Sequence, residues 1–269
     1  MASPGDMEDE KATAVNEAKA FDRITAKGKD DGLFRQCMKQ IRGSHSTGQA
    51  LRLGLVATGL LSDLNCYVEA LIQFYVCTKA LDERLQSSSS PLVAKVRDAL
   101  GKYAFVTGYE ADLQQLLGSR SWAADVAAKT SRAADDYCRK LRGCGDCELV
   151  AAVFVLYGAL IIGGGAAMEP RVKKRFGAVS LFRNVIGPGR EERKSEFIAL
   201  YDALLSESDG AAFGQIVASA GAFMDMNNAL MMGMQRRPYW YYPLGIGLAA
   251  IAGSVAWIGI RSVSRRGIL

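Results

Sequence analysis

A single histidine, His45, and only 6 prolines occur in the 269 residues of this chain. A zinc site built on histidines therefore has too few ligands to draw on. Scarce proline, with few runs of strict apolar–polar alternation, removes the usual marks of a β-protein and leaves an all-α chain as the expectation. Lysine and arginine are not gathered into a stripe interleaved with aromatics, so the net charge of +5 does not point to nucleic acid as a partner. The first twenty residues are acidic, polar and alanine-rich. They have neither the apolar core of a secretion signal nor the arginine-rich character of a transit peptide. Without an export signal, six cysteines do not read as a disulfide framework.

What is present is a large apolar fraction, 49%, enough for a sizeable core. Three segments are expected: a flexible acidic arm over residues 1–24, a helical domain over 25–235, and a C-terminal segment over 236–269 that is apolar with basic flanks. Within the domain, the first helix is expected from about Asp31 to Gly48, with Leu33, Phe34, Cys37, Met38 and Ile41 as its apolar face, and a short helix from Gln49 to Leu61 after it. Leu64, Tyr67, Val68, Leu71, Ile72, Tyr75 and Val76 then mark one face of a core helix. Ser90-Pro91 is an N-cap and first-turn pair. It opens a helix over 92–117, with Tyr103, Tyr109, Leu113 and Leu116 toward the core and Gly118 as its stop. Further helices are expected from Trp122 to Leu141 or Arg142, from Leu149 to Ile162, from Glu191 to Ser206, and from Ala211 onward.

Cys37, Cys66 and Cys77 fall on helices and read as small core residues. Cys144-Gly-Asp-Cys147 is a lone Cys-x-x-Cys in a loop. It lacks the second pair or the histidines that a zinc site needs. His45, near a helix end, reads either as a helix-end cation or as a metal ligand.

The apolar helix from Leu149 runs into Gly163-Gly164-Gly165 and resumes at Ala166. Glycine inside a helix costs roughly 1 kcal/mol relative to alanine. Such a run marks a bend, tight helix packing, or a backbone that a flat ligand approaches closely.

Pro238 to Ile260 carries 23 residues without a charge. As a helix it would be roughly 34 Å long, enough for a bilayer core of about 30 Å. Tyr239, Trp240, Tyr241 and Tyr242 stand at its start and Trp257 near its end, as in an aromatic belt. Arg236 and Arg237 flank one side; Arg261, Arg265 and Arg266 flank the other. The expectation is a tail anchor in an organelle membrane, mitochondrial or plastid before endoplasmic reticulum. Its glycines and alanines, and Pro243, keep a packed core helix as the alternative.

Taken together, residues 31–235 resemble the heme oxygenase family. The likeness runs without a gap from Arg42-Gly-Ser-His45 to Ala80-Leu-Asp-Glu-Arg-Leu85. It continues through Tyr109-Glu-Ala-Asp-Leu113 with Gly118 and Trp122, through Tyr157-Gly-Ala-Leu-Ile-Ile-Gly-Gly-Gly165, through Phe197 and Tyr201, and through Ala222-Phe223-Met-Asp-Met-Asn227. The resemblance implies that heme is ligand or substrate and that His45 holds its iron. Gly163 and Gly164 would bring the distal backbone against the macrocycle, and Arg42 and Phe223 would stand beside it. It also implies a membrane-bound protein and, for an active member, a reductase as electron donor.

Several positions depart from the family pattern. Leu160 stands where the family has a distal aspartate, and leucine can neither donate nor accept a hydrogen bond. Ala159 replaces a glycine. Met38, Ile198 and Asp202 occupy positions where the family pairs cations with the propionates, and Phe154 replaces a tyrosine. Lys173, Lys174, Arg193 and Lys194 are the candidate substitutes. Three functions follow. The first is a membrane-anchored, catalytically impaired protein that binds heme or serves as an accessory subunit of a membrane complex. The second is a working heme oxygenase that opens heme to biliverdin, iron and carbon monoxide. The third is a helical interaction protein with no tetrapyrrole.

Overall fold

Polar side chains set where several helices begin and, at Ser131, where one breaks. The computed structural model describes residues 32–57, 63–118, 122–163, 165–185, 189–205 and 209–234. These residues form α1 (Leu33–Ala57), α2 (Leu64–Ser87), α3 (Pro91–Leu100), α4 (Phe105–Leu117), α5 (Trp122–Lys129), α6 (Arg132–Gly143), α7 (Asp146–Ile161), α8 (Gly165–Phe176), α9 (Arg190–Asp202) and α10 (Gly210–Met232). Short 3-10 turns lie at Gly101–Tyr103 and Ser180–Phe182. No strand occurs among the described residues, so the all-α expectation holds.

Helix α7 is the centre of the fold. Every residue from Leu149 to Gly158 is buried, as befits a helix that is apolar all round. α2, α3, α9 and α10 pack around it, with α1 against α10 and α9, and α6 and α4 behind α2. Tyr201 of α9 donates its hydroxyl to the Val150 carbonyl of α7 at 2.8 Å. Phe154 lies between the rings of Phe34 and Tyr201, at 5.6 and 5.1 Å between centroids, tying α7 to α1 and α9. Cys37, Cys66 and Cys77 are fully buried, as expected for small core residues.

The observed boundaries correct the sequence reading at several points. α1 does not stop at Gly48 but runs on to Ala57. A Cβ built at Gly48 would meet Asn228 Oδ1 at 2.3 Å, so this glycine permits the approach of α10 rather than ending α1. The helix expected over 92–117 is divided. Ala104, at φ 48 and ψ 45, separates the Gly101–Tyr103 turn from α4. A left-handed alanine costs about 1–2 kcal/mol. That cost is offset by the burial of Tyr103 and Phe105, whose rings stack at 5.6 Å on either side of it. The helix expected from Trp122 also breaks, at Thr130 and Ser131. The cause is a buried side chain from far away in sequence. Gln73 donates to the carbonyls of Lys129 and Glu69 and accepts from the Ser131 amide at 2.8 Å. Ser131 then caps α6 through the Ala134 amide. Leu64, expected in the core, is 40% exposed at the first position of α2. α9 ends at Asp202, short of Ser206, although Leu204 is still buried.

A second long-range cap involves Asp112, which is fully buried on α4 and accepts from the amides of Ser180 and Leu181 at 2.7 and 3.1 Å. Burial pushes its carboxyl above the ordinary range, against the pull of those two amides. Replacing Asp112 with alanine strands both donors, at about 1–3 kcal/mol for a buried unpaired group. Asp112→Ala is expected to lower stability by about 2 kcal/mol or more in a denaturant titration followed by circular dichroism.

The expected arm (residues 1–24) and the apolar segment 238–260 lie outside the described residues. Among the described residues no helix is long and apolar enough to cross a membrane.

Candidate functional site

α1 and α10 run side by side in the same direction. Gln40 approaches Gly221, Ser44 meets Asp225, and Gly48 meets Asn228. The Ser44 hydroxyl donates to Asp225 Oδ1 at 2.5 Å. The Asn228 amide group donates to the Ser44 carbonyl at 2.7 Å. His45 is therefore held on both sides in sequence, by the residue before it and by the glycine three residues after it. It is half-buried, and Arg42, one turn earlier, is exposed. Ser46 and Thr47, on the same turn, donate back to the carbonyls of Arg42 and Gly43 at 3.0 and 3.3 Å. The backbone that carries the imidazole is thus fixed from its neighbour helix.

The end of α7 carries the other half of the expected site. Ala159 and Leu160 are half-buried there. The amides of Ile162 and Gly163 both donate to the Gly158 carbonyl, at 2.9 and 3.2 Å, which tightens and closes the helix. A Cβ built at Gly163 would lie 2.8 Å from the Ala159 carbonyl oxygen. Gly163 therefore has a conformational reason to be glycine that needs no ligand. Gly164 lies outside the described residues. Phe223 of α10 is buried, with its ring 5.4 Å from that of Tyr137 in α6.

The residues expected beside the propionates are placed as follows. Met38 and Phe154 are buried in the core and Ile198 is half-buried. Asp202 Oδ1 accepts from the Phe34 amide at 3.0 Å, and a Cβ at Gly32 would overlap its carboxylate at 2.3 Å. Asp202 is thus a cap for the start of α1, where a carboxylate also complements the helix dipole. Loss of such a cap costs typically about 1 kcal/mol. Asp202→Ala is expected to lower stability by about that much, read as a fall in melting temperature. Among the proposed substitute cations, Arg193 donates to the Val185 carbonyl at 2.8 Å and Lys194 pairs with Glu191 at 3.4 Å. Lys173 and Lys174 are exposed on α8. The Cys144 thiol donates to the Leu141 carbonyl at 3.1 Å, and Cys147 is half-buried. No group of three or more metal-binding side chains occurs among the described residues.

Three solved structures share this fold. Heme oxygenase 2 from Chlamydomonas reinhardtii, crystallised without heme, is 24% identical with a TM-score of 0.68, over 77% of this chain and 99% of its own. Heme oxygenase-1 from the cyanobacterium Synechocystis, in complex with heme, is 19% identical with a TM-score of 0.66, over 82% and 99%. Heme oxygenase-2 from Synechocystis, in complex with heme and NO, is 16% identical with a TM-score of 0.66, over 75% and 84%. The chain has the heme oxygenase fold. No protein-family model matches it, and neither does any curated protein. At these identities the likeness is one of fold.

Heme can be tested against the side chains of this chain. His45 would be the residue to hold the iron, since its helix turn is clamped by two side-chain hydrogen bonds and a ligand must be oriented as well as present. The cationic set for two carboxylates is not rebuilt at the expected places, since Met38 and Ile198 are apolar and Asp202 is an anion serving α1. The fit is good for the axial donor and poor for the usual propionate anchors. Sequence reasoning missed Ser44, Asp225 and Asn228. The available signal was a polar pair three residues apart, Asp225 and Asn228, on a mostly apolar last helix.

Proposed function

We propose that this protein binds heme through His45 at an organelle membrane and does not open the macrocycle at an ordinary rate. One observation carries the reading. The turn bearing His45 is clamped to α10, while the two groups most needed for turnover and anchoring have changed, to Leu160 and to an Asp202 engaged elsewhere. Two of the solved structures of this fold hold heme, which supports the choice of ligand.

When bound, heme would supply an iron to which an imidazole can bind and a flat apolar macrocycle to fill the space beside it. The rest is done by the chain. His45 offers a ring nitrogen, and the Ser44–Asp225 and Asn228–Ser44 hydrogen bonds fix the backbone that aims it. Leu160 and Ala159 present carbon where a hydrogen-bonding group would orient water. A dry wall there removes the polar stabilisation that turnover demands, an effect typically worth about 100-fold or more for one group. The segment 238–260 supplies the membrane anchor in this reading, with mitochondrial or plastid membranes the favoured location and an accessory role in a membrane complex the favoured setting. A reductase is needed only by an active enzyme.

The experiment is a titration of ferric heme into the full-length protein in detergent. A Soret shift that saturates at one heme per chain is expected. No shift would overturn the heme reading and leave an accessory protein of this fold without a tetrapyrrole.

A further inference from the structure

Among the described residues, the large apolar side chains left exposed are Leu64, at 40%, and Met232, at 56%. Single exposed apolar residues are ordinary on a protein surface. These two, however, lie at the same end of the helical domain. Leu64 is the first residue of α2 and Met232 the last of α10. Cys66, Ala70, Met231 and Met234 join the two helix ends in a small buried cluster of their own. The start of α6 belongs to the same end, because a Cβ at Gly233 would touch Ala133 and Ser131 at 3.1 and 3.3 Å. Arg132 follows there with its side chain exposed. α1 runs parallel to α10, so its last turn extends toward this end as well.

The chain leaves the domain at this same place. Only Gln235, Arg236 and Arg237 separate Met234 from the uncharged stretch that begins at Pro238. Fully extended, that connection spans at most about 14 Å. If 238–260 crosses a bilayer, this end of the domain stays within that distance of the lipid. An interfacial surface wants apolar side chains that reach below the headgroups and cations that meet their phosphates.

We propose that this end of the domain rests on the bilayer, with Leu64 and Met232 entering the interfacial region and Arg132, exposed beside Asp136, facing lipid phosphates. The proposal rests on the membrane reading given under Proposed function and adds an orientation to it. The orientation has a consequence for His45. Its turn lies level with Asp225, seven residues from Met232 along α10, or roughly 10 Å. The candidate site then lies just above the lipid surface, within reach of a flat amphiphile carried by the membrane.

The test uses the full-length protein reconstituted into vesicles of phosphatidylcholine with a minor anionic lipid. Nitroxide labels are placed at Leu64→Cys and Met232→Cys, with Cys147→Ser to remove the one cysteine that is not buried. Gln86→Cys is the reference, exposed at the other end of α2 and roughly 33 Å from Leu64. Flotation is read first and label accessibility second, with unchanged thermal melting required of each variant. The expected result is flotation, with labels at 64 and 232 several-fold more accessible to oxygen than to a polar nickel chelate, and the reverse at 86. Flotation with all three labels alike would overturn the docking while the membrane anchor stands. Failure to float would overturn both.

Discussion

Replacing His45 with alanine is expected to abolish the Soret shift that heme gives with the unaltered protein. Affinity should fall by about 100-fold or more, because even the partners of a metal ligand are typically worth roughly 10- to 100-fold. The loss is expected without unfolding. His45 is half-buried, and Ser44 and Gly48 hold the turn that carries it. Unchanged helical circular dichroism would establish that point. Asn228→Ala is the companion change. It removes the donor to the Ser44 carbonyl but leaves His45 in place. A smaller loss, nearer tenfold, is expected if the clamp acts by orienting the imidazole. Equal binding by His45→Ala and the unaltered protein would show that heme sits elsewhere or binds by partition alone.

The second large effect is expected at Leu160. Leu160→Asp restores a hydrogen-bonding group at the half-buried end of α7. Turnover of bound heme to biliverdin, with a reductase and oxygen, should rise by about 100-fold over background if the missing polar group is the main lesion. Some stability is lost in exchange, about 1–3 kcal/mol for a carboxyl placed against apolar neighbours. A melting curve reads that cost separately from activity. If biliverdin does not increase while heme still binds, the limit lies at Met38, Ile198 and Asp202, the positions where cations are expected.

The fold was legible in the sequence wherever local periodicity agreed with burial. The face of α2 from Tyr67 to Tyr75, the apolar run of α7 and the rings of Phe197 and Tyr201 all point inward as their spacing implies. Helix boundaries were legible where a local signal made them, as at Ser90-Pro91 and Gly118. They were not legible where a distant side chain decided. Gln73 breaks the helix expected from Trp122, across 58 residues to Ser131, and the serine there, a permitted N-cap, does not decide the break alone. Gly48 reads as a stop because glycine usually weakens a helix. In this fold it is the small residue that lets Asn228 come close.

The site was legible only in part, for the same reason. His45 stood out because it is the one histidine. The hydrogen bonds that fix its turn join residues about 180 positions apart, which no local pattern reveals. Asp202 is the sharpest case. From sequence it is an anion at a place where a cation is expected, and so a source of repulsion. In the fold its carboxylate takes the Phe34 amide at the start of α1, a role set by a contact across 168 residues. Gly163 carries the same lesson in reverse. A glycine read as room for a ligand is also demanded by the Ala159 carbonyl of its own helix.

The central claim is that heme is held by this protein and not cleaved. The most direct measurement supplies the heme-loaded protein with oxygen and a reductase and follows its spectrum over many minutes. The account predicts that the Soret band persists and that neither biliverdin nor carbon monoxide is released. Steady conversion to biliverdin at the rate of an ordinary heme oxygenase would contradict it.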